Sequence, residues 1–275
     1  MRPKLLLFDI GNTSIKVGLA DGRRVLTSYT LRADVGQTAD SLGLTLLSVL
    51  RHAAVDPAHI EACVASSVVP AFDPLLREAV TRYVERPLHR VPEDMPVPLD
   101  NQYERPGEVG ADRLVGAFAA RRLYAQADSI IVVDFGTAVT FDCISGQAYL
   151  GGLIFPGPQT AMTALSREAA KLPRVNMDVR AFAPVMGKDT ATSIRHGLVF
   201  GFVSMVEGLA QRLVCQLPGK TLVLGTGGFA ESIARVSQVF DHVLPALLLE
   251  GLRLLYYETR CNGLREEVNG CSEKN

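Results

Sequence analysis

Apolar positions along this chain fall into runs and alternations that can be read as elements. Leu5-Leu6-Leu7-Phe8 is an apolar run ended by Asp9 and Ile10, and beyond Gly11-Asn12-Thr13 the residues Ile15, Val17 and Leu19 alternate with Ser14, Lys16 and Gly18. This predicts a strand, a tight Gly/Asn turn and a second strand. Asp21-Gly22 is a two-residue turn signal, so Arg23–Leu31 is expected to complete a three-stranded antiparallel meander. Leu42, Leu46, Val49, Leu50 and Ala53 recur at helical spacing within Gln37–Ala54. Ile60–Val69 reads as a buried strand parallel to the first, Pro70 opens a helix to Val84, and Leu88–Val91 is a short strand. Prolines 92, 96, 98 and 106 stiffen the next loop, and a helix of small and apolar residues runs from Gly110 to Tyr124.

The second half repeats the plan. Ser129–Asp134 is another apolar strand ending in aspartate, followed by Phe135-Gly136-Thr137 and the alternating Ala138–Asp142. A third strand spans Gln147–Phe155, helices fit Gln159–Lys171 and Thr190–Leu217, Thr221–Leu224 is a strand entering Gly225-Thr226-Gly227-Gly228, and Ala246–Glu258 is a closing helix. The two copies of strand, Asp-x-Gly turn with a threonine, and strand lie about 125 residues apart, a period that implies paired domains rather than a solenoid. The expected division is residues 1–109 and 110–262, with a polar, frayed tail at 263–275.

Composition narrows the class. The 275 residues are 48% hydrophobic and 21% charged, enough for a substantial core. A net charge of −1 argues against a nucleic-acid binder that neutralises phosphates. Asp9 interrupts the first apolar tract too early for a signal peptide, and no run approaches the roughly 18 uncharged apolar residues that span a bilayer. Cys63, Cys143, Cys215, Cys261 and Cys271 are odd in number and widely spaced, which fits reduced thiols and a cytoplasmic location and gives no support for zinc. The histidines show no ligand spacing.

The chemistry lies in the turns. Asp9 followed by Gly11, Asn12, Thr13 and Ser14 suits a nucleotide phosphate, with the backbone cradling oxygens and the carboxylate holding the waters of Mg²⁺. An ordinary Asx turn would look the same. A second copy at Asp134–Thr137 makes a two-sided nucleotide clamp across a cleft, and the Gly225–Gly228 turn suits an adenosine.

With these residues in place, the chain resembles the acetate and sugar kinase/Hsp70/actin superfamily and, within it, the type III pantothenate kinases, from about Leu5 to Leu255. The resemblance rests on Asp9-Ile10-Gly11-Asn12-Thr13, on Asp134-Phe135-Gly136-Thr137, and on Asn101-Gln102-Tyr103 followed by Gly110-Ala111-Asp112-Arg113. Gly151–Gly157 and Leu244–Leu252 are further similar segments. It implies an α/β fold of two duplicated ribonuclease-H-like, actin-like ATPase domains with the nucleotide cleft between them. By the resemblance, Asp9, Ile10, Gly11, Asn12, Thr13, Ser14, Ile15 and Lys16 contact ATP, with Asp9 near Mg²⁺ and Thr137 on the second phosphate loop. Asp134 would bind a monovalent cation, K⁺ or NH₄⁺. Asp112 would be the general base on the primary hydroxyl of pantothenate. Tyr103, Gly110, Ala111, Asp112 and Arg113 would hold that substrate, joined by Thr190 from the other subunit of a homodimer.

Each assignment has a plainer alternative. Asp112 could be a helix N-terminal carboxylate interacting with the macrodipole, Arg113 an ion pair, Tyr103 loop packing, Lys16 an exposed strand lysine, and Thr190 a helix N-cap. The expected reaction is transfer of the ATP γ-phosphate to pantothenate, giving 4′-phosphopantothenate at the start of coenzyme A synthesis. A non-catalytic regulator or another small-molecule kinase on the same fold are the alternatives. A chaperone or filament protein of the superfamily would need insertions for which 275 residues leave no room. A surplus of apolar residues on the helix from Thr190 (Leu198, Val199, Phe202, Val203, Met205, Val206, Leu209) is a further reason to expect a dimer.

Overall fold

The apolar runs form strands because they are flanked by turn chemistry and covered on both sides by helices. A computed structural model describes residues 4–169, 171–177 and 182–272, with side chains described as far as Cys261. The chain divides into two compact units that are interleaved in sequence. Residues 1–98, 107–119 and 248–275 make the first; residues 99–106 and 120–247 make the second.

In the first unit, β1 (Leu5–Ile10), β2 (Ser14–Ala20) and β3 (Val25–Arg32) form the expected meander, and β4 (Ala62–Ser67) and β5 (Leu88–Val91) extend it. The sheet order is β3-β2-β1-β4-β5, with β4 parallel to β1 and β5 parallel to β4. One face of β1 carries Leu6, Phe8 and Ile10 into a core with Leu42, Leu46 and Leu50 of α1 (Ala39–His52) and with Leu76 and Ala79 of α2 (Asp73–Ala79). A wider π turn at Val80–Val84 continues α2, so the helix expected from Pro70 to Val84 is broken into pieces.

The opposite face packs against α3 (Ala111–Leu123) and α7 (Leu247–Ser272). A Cβ on Gly18 would lie 3.0 Å from Leu249, and one on Gly251 would lie 2.7 Å from Val115. Arg253 donates from Nε to Glu250 Oε1 at 3.0 Å and from Nη1 to the Gly22 carbonyl at 3.1 Å, while the Val25 N–H donates to Glu250 Oε2 at 3.2 Å. These bonds tie α7 to the β2–β3 hairpin. They explain why the end of the chain joins the first unit, unlike the single boundary near residue 110 that the repeat suggests. A repeat marks where strand patterns recur; a helix belongs to whichever sheet it buries itself against. The α7 backbone also continues through the segment expected to be frayed, as far as Ser272, consistent with good helix formers such as Leu264, Arg265 and Glu266. Residues 273–275 lie outside the described residues.

The second unit contains β7 (Ser129–Phe135), β8 (Ala138–Ser145), β9 (Ala148–Pro156), β10 (Thr221–Gly227) and β11 (His242–Val243), with β6 (Asp100–Asn101) added outside β9. From β9 the order β9-β8-β7-β10-β11 reproduces that of the first sheet, strand for strand and direction for direction. The duplication read from two short motifs is therefore a duplication of whole sheets. Helix α5 (Thr190–Val214) buries Val199, Phe202, Val203 and Val206 against this sheet, beside α4 (Pro158–Glu168) and α6 (Ala230–Ala234). Among the described residues α5 is one helix long and apolar enough to cross a membrane by length and composition. Six of its side chains are instead buried in the unit. The strands β6 and β11 and the helix α6 escaped the sequence pattern because each is five residues or shorter.

Candidate active site

In the first unit the site is built on a row of paired residues. Asp9 sits opposite Lys16 on β2 and opposite Ser66 on β4, so the three share one face of the sheet, the face that α3 and α7 cover. Lys16 Nζ lies 3.9 Å from Asp9 Oδ2, with the side chains 27% and 16% exposed. Lys16 is thus partly buried and paired, which removes the exposed-lysine alternative. Between them the turn is closed by the Gly11 N–H donating to the Ser14 carbonyl at 3.0 Å and anchored to the end of β3 by the Ala33 N–H donating to the Thr13 carbonyl at 3.1 Å.

Asp112 belongs to the same unit. The Val68 N–H donates to the Ile10 carbonyl at 3.0 Å, immediately after Asp9, and a Cβ on Gly110 would lie 3.5 Å from Val68 and 2.5 Å from Asp112 Oδ1. Gly110 therefore lets the carboxylate fold back over the start of α3, where Oδ1 accepts the Arg113 N–H at 2.8 Å. Burial pushes the Asp112 carboxyl above its ordinary value, and the Arg113 N–H and guanidinium oppose this only in part. The shift here is in the direction that suits a general base.

In the second unit the corresponding row is Thr140, Asp134 and Thr226. Thr226 is buried and donates to the Leu244 carbonyl at 2.7 Å. Thr140 donates to Asp142 Oδ2 at 3.0 Å, and the buried Tyr149 hydroxyl donates to Asp142 Oδ1 at 2.8 Å. Gly227 has φ +88°, and a Cβ there would strike Asp134 Oδ1 and stand 2.6 Å from the Phe135 nitrogen. The glycine turn after β10 thus lies directly along the first acidic residue of the second loop. Gly157 plays a similar part at the other end: a Cβ there would strike the Gly136 carbonyl and lie 2.5 Å from that of Thr137. The Gly157 N–H and the Thr160 hydroxyl both donate to the Thr137 carbonyl, at 2.9 and 2.6 Å. The loop is held from beneath by the start of α4.

Tyr103 also lies in this unit. Its N–H donates to Asn101 Oδ1 at 3.1 Å, and its ring stands 6.4 Å from that of Tyr149 and over Gly151, whose Cβ would be 3.3 Å away. Thr190 is exposed at the start of α5 but does not cap it. Asp189 is the cap, its side chain accepting the Thr192 N–H at 2.9 Å and the Thr192 hydroxyl at 2.8 Å. The N-cap alternative for Thr190 is thereby corrected: the residue one place earlier has the β-region backbone that a cap requires. The apolar surplus on α5 is also smaller than its sequence suggests, because Leu198, Met205 and Leu209 pack partly against the same core.

Sequence reading missed Ser66, Gly157 and the Asp142–Tyr149 pair. The first had a signal in Ser66-Ser67 closing a strand predicted parallel to β1, and the second in Pro156-Gly157-Pro158. The third depends on β8–β9 register and had none. Among the described residues no group of three or more His, Cys, Asp or Glu could hold a metal ion.

Two sheets of the same topology, each with an aspartate next to last in its first strand and a glycine-containing turn after it, are the duplicated arrangement expected of the acetate and sugar kinase/Hsp70/actin superfamily. Solved structures agree on the fold. A putative Baf family transcriptional activator from Campylobacter jejuni matches with TM-score 0.58 at 18% identity, covering 93% of this chain and 98% of the other. A putative 2-dehydro-3-deoxygalactonokinase from Sinorhizobium meliloti matches with TM-score 0.56 at 16% identity, over 92% and 95%. The family model for type III pantothenate kinase matches residues 5–212. A type III pantothenate kinase from Desulfovibrio desulfuricans is 74% identical over 260 residues, 94% of this chain and 99% of the relative. One from Lawsonia intracellularis is 44% identical over 92% and 95%. The chain belongs to the type III pantothenate kinase family.

Proposed function

We propose that this protein transfers the γ-phosphate of ATP to the primary hydroxyl of pantothenate with Asp112 as general base. The observation that carries the assignment is the half-buried Asp112, its carboxyl raised by that burial, linked through Gly110 and Val68 to the loop that follows Asp9 in the same unit. Phosphoryl transfer passes through a loose transition state, so positioning and charge neutralisation dominate and the base takes its proton late. Residues Asp9 to Lys16 bind the phosphates, with Lys16 turning its ammonium from Asp9 to the incoming anion. Thr137 contributes from the second loop. Arg113 meets the pantothenate carboxylate, and Tyr103, Gly110, Ala111 and Thr190 complete recognition of that substrate.

The donor set fits two cations. Asp9, half-buried beside the phosphate turn, would hold Mg²⁺, which neutralises charge on the transferring phosphates when bound. Asp134, lying along the Gly227 backbone, would hold K⁺ or NH₄⁺. In both cases one carboxylate would act together with phosphate and carbonyl oxygens.

The protein acts as a cytoplasmic homodimer in which Thr190 serves the partner's site. The segment leading into Thr190 supports this, with Phe182 83% and Met186 92% exposed, as does Ile154 on β9 at 66%. An ADP-release assay of the purified protein against pantothenate and a panel of other hydroxylated acceptors tests the function. Turnover with pantothenate well above every other acceptor is expected; a sugar preferred to pantothenate would overturn the assignment.

A further inference from the structure

The position next to Asp9 on β4 is occupied by a hydroxyl that makes no hydrogen bond among the described residues. Ser66 is 0% exposed, and its Oγ has no hydrogen-bond partner among the described residues. Its topological counterpart in the second sheet, Thr226, is equally buried but donates to the Leu244 carbonyl. The two places in the duplicated fold are therefore treated differently: one hydroxyl serves the backbone, the other is held unpaired. A buried hydroxyl without a partner destabilises the state that contains it, so Ser66 is poorly explained by stability.

Its neighbours indicate a use. Ser66 pairs in register with Asp9 across parallel strands, which stand about 4.8 Å apart, so a rotation about its Cα–Cβ bond brings the hydroxyl within reach of the carboxylate. On the other side of Asp9, Lys16 stands only 3.9 Å from Oδ2. An arriving triphosphate draws the ammonium toward itself and takes that interaction from Asp9. We propose that Ser66 is a positioning residue for Asp9: with Mg·ATP on the loop, its hydroxyl donates to the Asp9 carboxylate and fixes the orientation in which the other oxygen faces the hydrated cation. The proposal rests on the reading of Asp9 as the Mg²⁺-side residue. It adds to it a ligand-dependent exchange of partners, Lys16 for Ser66.

Ser66→Ala and Asp9→Asn, each in the full chain, test it by two measurements. The first is the thermal midpoint without ligand. Removing an unpaired buried hydroxyl is expected to leave the midpoint unchanged or raise it by about 2–4 °C. The second is the Mg²⁺ concentration giving half the maximal rate and half the ATP-induced thermal shift. For Ser66→Ala it is expected to rise about tenfold, the scale of losing a group that orients a metal-side ligand. A lowered midpoint in ligand-free Ser66→Ala, or an unchanged Mg²⁺ requirement, would overturn the proposal. Asp9→Asn separates the two levels. If it also keeps the wild-type Mg²⁺ dependence, the reading of Asp9 itself fails; if it loses that dependence while Ser66→Ala retains it, only the role of Ser66 fails.

Discussion

The two aspartate rows occupy the same place in two copies of one sheet, yet their neighbours differ in charge and commitment. Around Asp9 stand a lysine at 3.9 Å and an unpaired buried serine; around Asp134 stand two threonines that donate elsewhere, one to Asp142 and one to Leu244. The first row can rearrange when an anion arrives, because a lysine on a flexible stem has a better partner in phosphate than in one carboxylate. The second row is rigid, its loop held by Gly157 below and Gly227 beside it. Duplication supplied two similar loops, and their side chains set them apart: on the function proposed above, one is a responsive loop in the unit carrying the base and the other a fixed one suited to a weakly hydrated cation.

The sharpest test of this division is Asp112→Asn. If the unit with the responsive row also performs the proton transfer, kcat falls by at least about 100-fold while ATP and pantothenate affinities, measured by calorimetry, stay near wild type. Turnover within about threefold of wild type would remove Asp112 as the base. The same variant should be more stable at neutral pH. Burial raises the folded-state carboxyl value, so the ionised form opposes folding above the unfolded-state value and that penalty disappears in acid. Thermal melts at pH 7 and near pH 3 should therefore show the gain only at the higher pH.

Next in size is the cation contrast. Activity should be low in sodium or choline chloride and rise saturably with potassium at matched ionic strength, and Asp134→Asn should abolish that rise. Giving the second row the lysine of the first, by Thr140→Lys, should make the rate insensitive to potassium. Equal rates in all three salts would erase the distinction between the rows. Lys16→Met should raise KM for ATP about tenfold, the scale of one charge-assisted contact, with a smaller change in kcat.

Gly157→Ala probes the rigidity of the second loop. The added methyl must displace the Gly136–Thr137 backbone, so a loss of about 1–3 kcal/mol in stability and a several-fold rise in KM for ATP are expected from chemical denaturation and kinetics. The smallest effect separates recognition from capping on α5. Asp189→Ala should destabilise by about 1 kcal/mol. Thr190→Ala should stay within about 0.5 kcal/mol by the same unfolding measurement while weakening pantothenate binding.

Much of this was legible in one dimension. The two Asp-x-Gly loops, the meander, α1, α3 and the long α5 follow from periodicity and turn residues, because local backbone preference and one-sided burial both act within a few residues. The Gly110–Arg113 element was readable as a family resemblance. The dependence of Asp112 on Gly110 and Val68 was not, since it joins the start of a helix to a strand end more than forty residues earlier. Thr190 shows the complementary failure: Asp189 and Thr190 are both good caps by type, and only backbone angles decide between them.

What the sequence determined by itself is the set of elements, the repetition of the strand–loop–strand motif and the family, all carried by residues adjacent in the chain. What only the tertiary structure decided is which residues became neighbours across strands. Lys16 and Ser66 flank Asp9, Thr140 and Thr226 flank Asp134, and the last helix returns to the first sheet through Glu250 and Arg253. Register and helix docking are set by the burial of whole faces, and a cross-strand partner can lie at any separation in sequence. The chemical difference between the two aspartates is therefore written in residues that no local pattern connects to them.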